Sequence, residues 1–278
     1  FTLHPSPFTL HPSPFTLHPM RITTWNVNGL RAAIRKGFGD CLAQLAPDVL
    51  LLQEIRCMPE QLPAEWSAPV GWHVHWQPAE KPGYAGTAIW SRTPLEVLSV
   101  GLDDGGGDPD GRVITARTDG LIVASVYLPS GSSGPERQAY KDVWLDRFLP
   151  WAARMAARRT PVVLGGDLNI AHTERDIFYA AGNQNNSGFL PRERAWFGRL
   201  LDAGWTDFVR RQFGDVDGPY SWWSNRGRAR ELDRGWRIDY LLGNRPAADR
   251  CRDAAIYRHG GLLVSDHAPV TVELKDEG

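Results

Sequence analysis

A single large α/β domain is predicted by three observations. Strand-like and helix-like periods alternate along the chain without a break in composition. A length of 278 residues with 42% hydrophobic content is enough for a full core. The strand-like runs are short, apolar and followed by polar groups, as in α/β folds that build sites at strand ends. A formal net charge of -1 gives no bulk attraction to nucleic acid, so any grip on phosphate must come from local patches. Cys41, Cys57 and Cys251 are odd in number and lack metal-ligand spacing. They argue against a disulfide framework or zinc site and fit a reducing, cytoplasmic compartment.

The chain opens with Phe-Thr-Leu-His-Pro-Ser-Pro at 1–7, repeats it at 8–14 and starts a third copy at Phe15. Its prolines forbid a helix, and no basic region leads into a long apolar core, so this is neither a signal peptide nor a membrane span. Residues 1–19 are expected to be a disordered extension before a natural start at Met20, dispensable for stability and activity.

From there the pattern becomes regular. Ile22 to Val27 alternates like a strand and breaks at Gly29 into a helical pattern over Leu30–Leu45, leaving Asn26 and Asn28 at a rim. Asp48 to Gln53 is an apolar run of the kind buried on both faces, closing on Glu54. Gly86–Trp90 and Val113–Arg117 read as strands, and Leu121 to Leu128 is another, with Tyr127 just before a proline stop. Pro135–Arg159 is a long amphipathic helix opened by Pro135 and Glu136. Pro161 to Leu164 is a buried-type strand running into Gly165-Gly166-Asp167-Leu168-Asn169. There the glycines let the backbone turn and approach a ligand, and Asp167 and Asn169 point to one side, able to grip a metal or phosphate. Pro191–Ala203 is a helix ended by Gly204, and strand-like runs beside Asp239 and beside Asp266-His267 complete the series. Arg226, Arg228, Arg230, Arg234 and Arg237 form a candidate phosphate patch, partly offset by Glu231 and Asp233.

Each motif alone has a plain structural reading: an Asx turn for Asp167 and Asn169, packing for Tyr127, a solvated loop for the arginines. Five strand ends that all carry groups suited to phosphate or Mg²⁺ chemistry are not explained by packing needs. Together with the block Gly182 to Arg194 and the following Trp196-Phe197, they make the chain from Met20 to about Leu274 resemble the endonuclease/exonuclease/phosphatase superfamily. Within it, the block resembles exonuclease III-type apurinic/apyrimidinic (AP) endonucleases.

The resemblance implies a four-layered α/β sandwich, two packed mixed β-sheets flanked by helices, with 20–278 as the catalytic domain. It implies a monomer, independent of membranes, that cleaves double-stranded DNA 5′ to abasic sites. It also implies 3′-to-5′ exonuclease and 3′-end-cleaning activity, with Mg²⁺ as cofactor and Mn²⁺ able to substitute. Glu54 matches a direct metal ligand, and Asn26, Asp167, Asn169, Asp266 and His267 match the rest of the metal site, with Asp239 in reach. As catalytic groups, Asp167 would orient or deprotonate water or serve the leaving group, Asn169 would hold the nucleophile, and Tyr127 would reach the phosphate. His267, oriented by Asp239, would donate to a phosphoryl oxygen. Trp222, Trp236 and Ile238 would enclose a flipped-out baseless sugar, one of Trp222 and Trp223 facing inward, while Asn183 and Asn186 would contact the DNA backbone.

One departure stands out. Where some relatives carry an Asn and then an Arg that enters the DNA, this chain reads Ser130-Gly131-Ser132-Ser133-Gly134, leaving the insertion role unassigned. A general nuclease or a phosphatase of the same superfamily would share the Asp167/Asn169 and Asp266/His267 motifs but not the Gly182–Arg194 block. A non-catalytic DNA-binding derivative would be expected to lose a catalytic carboxylate, and here every position is filled.

Overall fold

The computed structural model describes residues 19–275, so the expectation for the N-terminal repeat falls outside the described residues except at Pro19. Among the described residues twelve strands form. They are β1 Met20–Asn26, β2 Val49–Gln53, β3 His73–Gln77, β4 Thr87–Ser91, β5 Glu96–Val100, β6 Val113–Thr118, β7 Leu121–Tyr127, β8 Val162–Asp167, β9 Thr206–Asp207, β10 Asp239–Gly243, β11 Cys251–Ile256 and β12 Val270–Leu274. The helices are α1 Leu30–Arg35, α2 Phe38–Leu45, α3 Ala64–Ser67, α4 Pro135–Ala156, α5 Pro191–Asp202, α6 Phe208–Phe213, α7 Arg245–Arg250 and α8 Arg258–Val264.

Two mixed six-stranded sheets result, ordered β11-β12-β1-β2-β4-β3 and β5-β6-β7-β8-β10-β9. Each has one parallel pair at its centre, β1 with β2 and β7 with β8, and antiparallel neighbours outward. The alternation of side chains along the strands builds the layers. Val49 and Leu51 of β2 meet Val123 and Val163 between the sheets, while Leu50 and Leu52 face outward with Trp25 and Phe38 toward α1 and α2. On the other side, Ala124, Val162 and Leu164 pack on Trp144, Phe148 and Trp151 of α4 and on Trp196 and Leu200 of α5. This is the four-layered sandwich.

The single helix predicted over Leu30–Leu45 is two helices. Gly37 takes φ 100°, a left-handed value that interrupts the helical ladder and that glycine adopts at little cost. Gly165 and Gly166 also differ from expectation: they lie inside β8 and serve packing rather than a turn toward ligand. A Cβ on Gly165 would sit 2.6 Å from Leu51 Cδ1 in the opposite sheet, and one on Gly166 would sit 1.8 Å from the Val126 carbonyl oxygen. Beneath the strand ends, Gln53 Nε2 donates across the sheets to Ser125 Oγ at 3.1 Å, and Ser125 donates to the Leu52 carbonyl at 3.0 Å, so these buried polar groups are satisfied.

Arg237 is fully buried and structural, which removes it from the expected phosphate patch. Its Nε donates to Asp176 at 2.7 Å and its Nη1 to Asp207 at 2.6 Å, with Arg210 also on Asp176. Burial alone would raise the Asp176 carboxyl, but Arg237 and Arg210 outweigh it and hold it at about 2. A depressed folded value means stability that is present above the unfolded value near 4 and lost as pH falls through about 2. Asp176→Asn should therefore lower the urea midpoint at pH 7 and remove about 2 kcal/mol of the acid-dependent loss between pH 4 and 2. Equal acid dependence in variant and wild type would contradict this assignment.

Candidate active site

The parallel pairs bring their carboxyl ends to one edge of the sandwich, and the site is built there. Asn26 ends β1, fully buried. Its Nδ2 donates to Glu54 Oε1 at 2.8 Å and, across the sheets, to Asp167 Oδ2 at 2.9 Å, while its Oδ1 takes the Asn28 N–H at 2.9 Å. One amide thus holds two carboxylates together. Glu54 follows β2 at φ 51°, Asn28 follows β1 at φ 46° and Asn169 follows β8 at φ 51°. Three of the eleven non-glycine residues at positive φ among the described residues thus stand at neighbouring strand ends of the site.

Strand register places the next groups. Tyr127 and Asp239 flank Asp167 from β7 and β10. Asp239 is fully buried, accepts from Ser221 Oγ at 2.7 Å and faces His267 Nδ1 at 2.9 Å, while His267 Nε2 points toward Asp167 Oδ2 at 4.0 Å. Burial works against a charged imidazole, but Asp239, then Asp167 and Asp266, prevail and raise it to about 10. Asp167 is pushed up to about 8 by burial and by the charges of Asp239 and Glu54, with His267 pulling the other way. Tyr127 is raised well above its ordinary value by burial and by Glu54 and Asp167, so it stays a phenol.

Glu54, Asp167 and His267 each offer one atom within 4.8 Å of the others. With its Nδ1 on Asp239, His267 turns Nε2 to the same place, beside the carboxylate oxygens of Glu54 and Asp167. They suit a hard divalent ion, and Asp167, whose charge is opposed by Asp239 and Glu54, is the group such an ion would relieve. Arg56 also reaches Glu54. Asp266 lies at the rim, accepting from Asn28 Nδ2 at 2.7 Å and Trp222 Nε1 at 3.2 Å.

Above these groups opens a cavity of about 630 Å³, bordered among others by Trp222, Trp236, Ile238, Asn186, Asn169 and Tyr127. The two indoles meet edge to face with centroids 6.0 Å apart. Trp223 is the inward member of its pair, fully buried with Nε1 on Asp233 Oδ1 at 2.9 Å. Asn183 does not border the cavity. It accepts from Asn186 Nδ2 at 2.7 Å and donates to the Tyr179 carbonyl at 2.9 Å.

A family model described as the endonuclease/exonuclease/phosphatase family matches residues 23–267. The chain belongs to this family. It is 39% identical to the exodeoxyribonuclease of Bacillus subtilis over 254 residues, 90% of this chain and 98% of that protein. The DNA repair nuclease APEX1 of Danio rerio is 38% identical over 257 residues, 92% of this chain and 82% of its own length. Among solved structures, an AP endonuclease from Archaeoglobus fulgidus matches with a TM-score of 0.83 at 29% identity, covering 92% of this chain and 99% of that one.

In this endonuclease/exonuclease/phosphatase chain, the Gly182–Arg194 block has a local task that the sequence reading did not assign. Glu193, fully buried, accepts the Gly188 and Leu190 N–H groups at 2.7 and 3.0 Å and pairs with the equally buried Lys141 at 2.6 Å. Lys141 Nζ also donates to the Asn169 carbonyl at 2.9 Å, so α4 and α5 together clamp the loop beside the cavity. Asn169 Nδ2 is tied to the Leu128 carbonyl at 2.9 Å, and its backbone N–H to Asp167 Oδ1 at 2.9 Å. Of the arginine run, Arg226 borders the cavity, whereas Arg228 pairs with Glu231 and Arg230 donates to the Leu262 carbonyl. Arg56, Lys141 and Ser221 are thus site residues that the sequence did not single out. Asn28, two residues from Asn26 at a strand end, and Arg226, in the arginine run, each carried a local signal.

Proposed function

We propose that this protein is a Mg²⁺-dependent DNA repair nuclease that cleaves the backbone of double-stranded DNA 5′ to abasic sites and trims or cleans 3′ ends. The observation that carries this reading is the meeting of Glu54, Asp167 and the His267–Asp239 pair at the base of a cavity walled by Trp222, Trp236 and Ile238. The names of its relatives, a DNA repair nuclease and an exodeoxyribonuclease, support it. Glu54, with Asp167 beside it, would hold Mg²⁺, which when bound neutralises charge on the phosphate and the leaving O3′; Mn²⁺ offers the same chemistry.

The chain's own groups do the rest. In its carboxylate form Asp167, made a stronger base by its raised pKa, is placed to hold the attacking water and take its proton, and Asn26 keeps that carboxylate aimed. His267 presents Nε2–H to a phosphoryl oxygen, its ring held in that orientation by Asp239, which Ser221 fixes in turn. Asn169 and the Tyr127 hydroxyl stand at the cavity edge for the remaining phosphate oxygens, with Asp266 completing the metal surroundings and Asn186 and Asn183 lying along the backbone path. Trp222, Trp236 and Ile238 leave room for a sugar without its base. No described helix is long and apolar enough to cross a membrane. We infer a monomer working in the cytoplasm, in keeping with free Cys41, Cys57 and Cys251.

Incubation with a duplex carrying one abasic analogue should yield a single incision 5′ to the lesion with Mg²⁺ and none with chelator. Trp222→Ala/Trp236→Ala should lower the ratio of abasic to undamaged cleavage about tenfold to hundredfold while residual phosphodiesterase activity persists. Circular dichroism would first establish that the variant is folded. A folded variant with an unchanged ratio would instead favour a general nuclease.

A further inference from the structure

Resting on that reading, we propose that Phe178 and Tyr179 form a stacking shelf for an unpaired nucleobase of the DNA strand leaving the catalytic cavity. Both rings are presented to solvent, Phe178 42% and Tyr179 68% exposed, and among the described residues neither stacks on another aromatic ring. Their backbone is built into the cavity wall. Ile177 bridges to Trp236, and the Phe178 N–H donates to the Gly235 carbonyl at 2.9 Å. The Tyr179 carbonyl accepts from Asn183 Nδ2 at 2.9 Å, and Asn183 in turn accepts from Asn186, which borders the cavity.

Tyr179 is held in the left-handed region at φ 59°, unusual for an aromatic residue, which turns the chain so that the ring lies against bare backbone at Gly182. A Cβ on Gly182 would come 2.2 Å from Tyr179 Cε1, so the ring is supported on one side. Arg234 sits 5.3 Å from the Phe178 ring centre, adding a guanidinium plane to the same platform.

Charge selects the occupant. The shelf borders a hollow of about 490 Å³ that also contains Glu174, Asp217 and Tyr220, with Arg175 committed to Asp215 and Asp217. Carboxylates there repel phosphate, whereas base faces suit the aromatic rings and exocyclic amino groups suit carboxylate acceptors. The surface therefore fits bases rather than the backbone, and it extends the Trp236 wall outward.

Equilibrium binding, in chelator, of a thymidine or cytidine single strand should be compared with that of an all-abasic strand of equal length and charge, in wild type and in Phe178→Ala/Tyr179→Ala. The cavity that accepts a baseless sugar is common to both proteins, so the shelf is read as the change between them: the ratio of base-bearing to abasic affinity should fall about tenfold in the double variant. Its melting temperature should be retained, since both rings are exposed, and Tyr179→Trp should keep the wild-type ratio. An unchanged ratio in the double alanine variant would overturn the shelf. Because this is a binding comparison, it is independent of whether wild type incises an abasic duplex, which tests the catalytic reading alone.

Discussion

Asp167→Asn is expected to lower turnover about 10²–10⁴-fold, the usual worth of a positioned proton acceptor, and to flatten the pH dependence of stability. The two effects share a cause. Asp167 is fully enclosed beside Asp239 and Glu54, and burial with those charges pushes it up to about 8. A carboxyl raised in the fold favours the neutral form. The stability this brings is complete below the unfolded value near 4 and is lost as pH rises through about 8. Without divalent cation, wild type should therefore lose stability from pH 4 to 8, and Mg²⁺ should restore it more at pH 8 than at pH 5. The asparagine variant cannot ionise, so its slope should be shallower and its gain from Mg²⁺ smaller. Melting temperatures across that range, with chelator and with Mg²⁺, measure both; identical slopes would mean that Asp167 is not the strained group.

Lys141→Met should cost about 3–5 kcal/mol, because it leaves Glu193 buried without its counter-ion. Burial lowers the Lys141 pKa, yet Glu193 at 2.6 Å and the Asn169 carbonyl at 2.9 Å hold the ammonium in place. Lys141→Met/Glu193→Gln removes the orphan charge and should recover much of the loss in urea denaturation. Neither variant can hold the Asn169 carbonyl, so folded double variant should still turn over at least tenfold more slowly than wild type. Full activity in that variant would reduce the pair to a purely structural clamp.

The strands missed in the sequence are informative about what a sequence displays. β3, β5, β9 and β11 are the four edge strands of the two sheets. Glu96–Val100 and Cys251–Ile256 are largely exposed or half-buried, so neither needs the apolar run that made β2, β7 and β8 visible. The arginine run failed for a related reason. Five arginines within twelve positions look alike in sequence, but the fold buries Arg237 on Asp176 and Asp207 and leaves Arg226 at the cavity.

By itself, the amino-acid sequence determined the α/β class, the central strands and the polar residues waiting at their ends, because each follows from local hydrophobic period and from what stops it. Glu54, Asp167, Asn169 and His267 were readable as a set because phosphate and metal chemistry demands those residue types. Tertiary structure alone decided which atoms face one another. Asn26 turns its nitrogen to two carboxylates from different sheets, Lys141 reaches Asn169 from a helix 28 residues away, and Gly165 is required by Leu51 across the interface. These are contacts between segments distant in the chain, set by how two sheets pack at close range, and no local pattern encodes them.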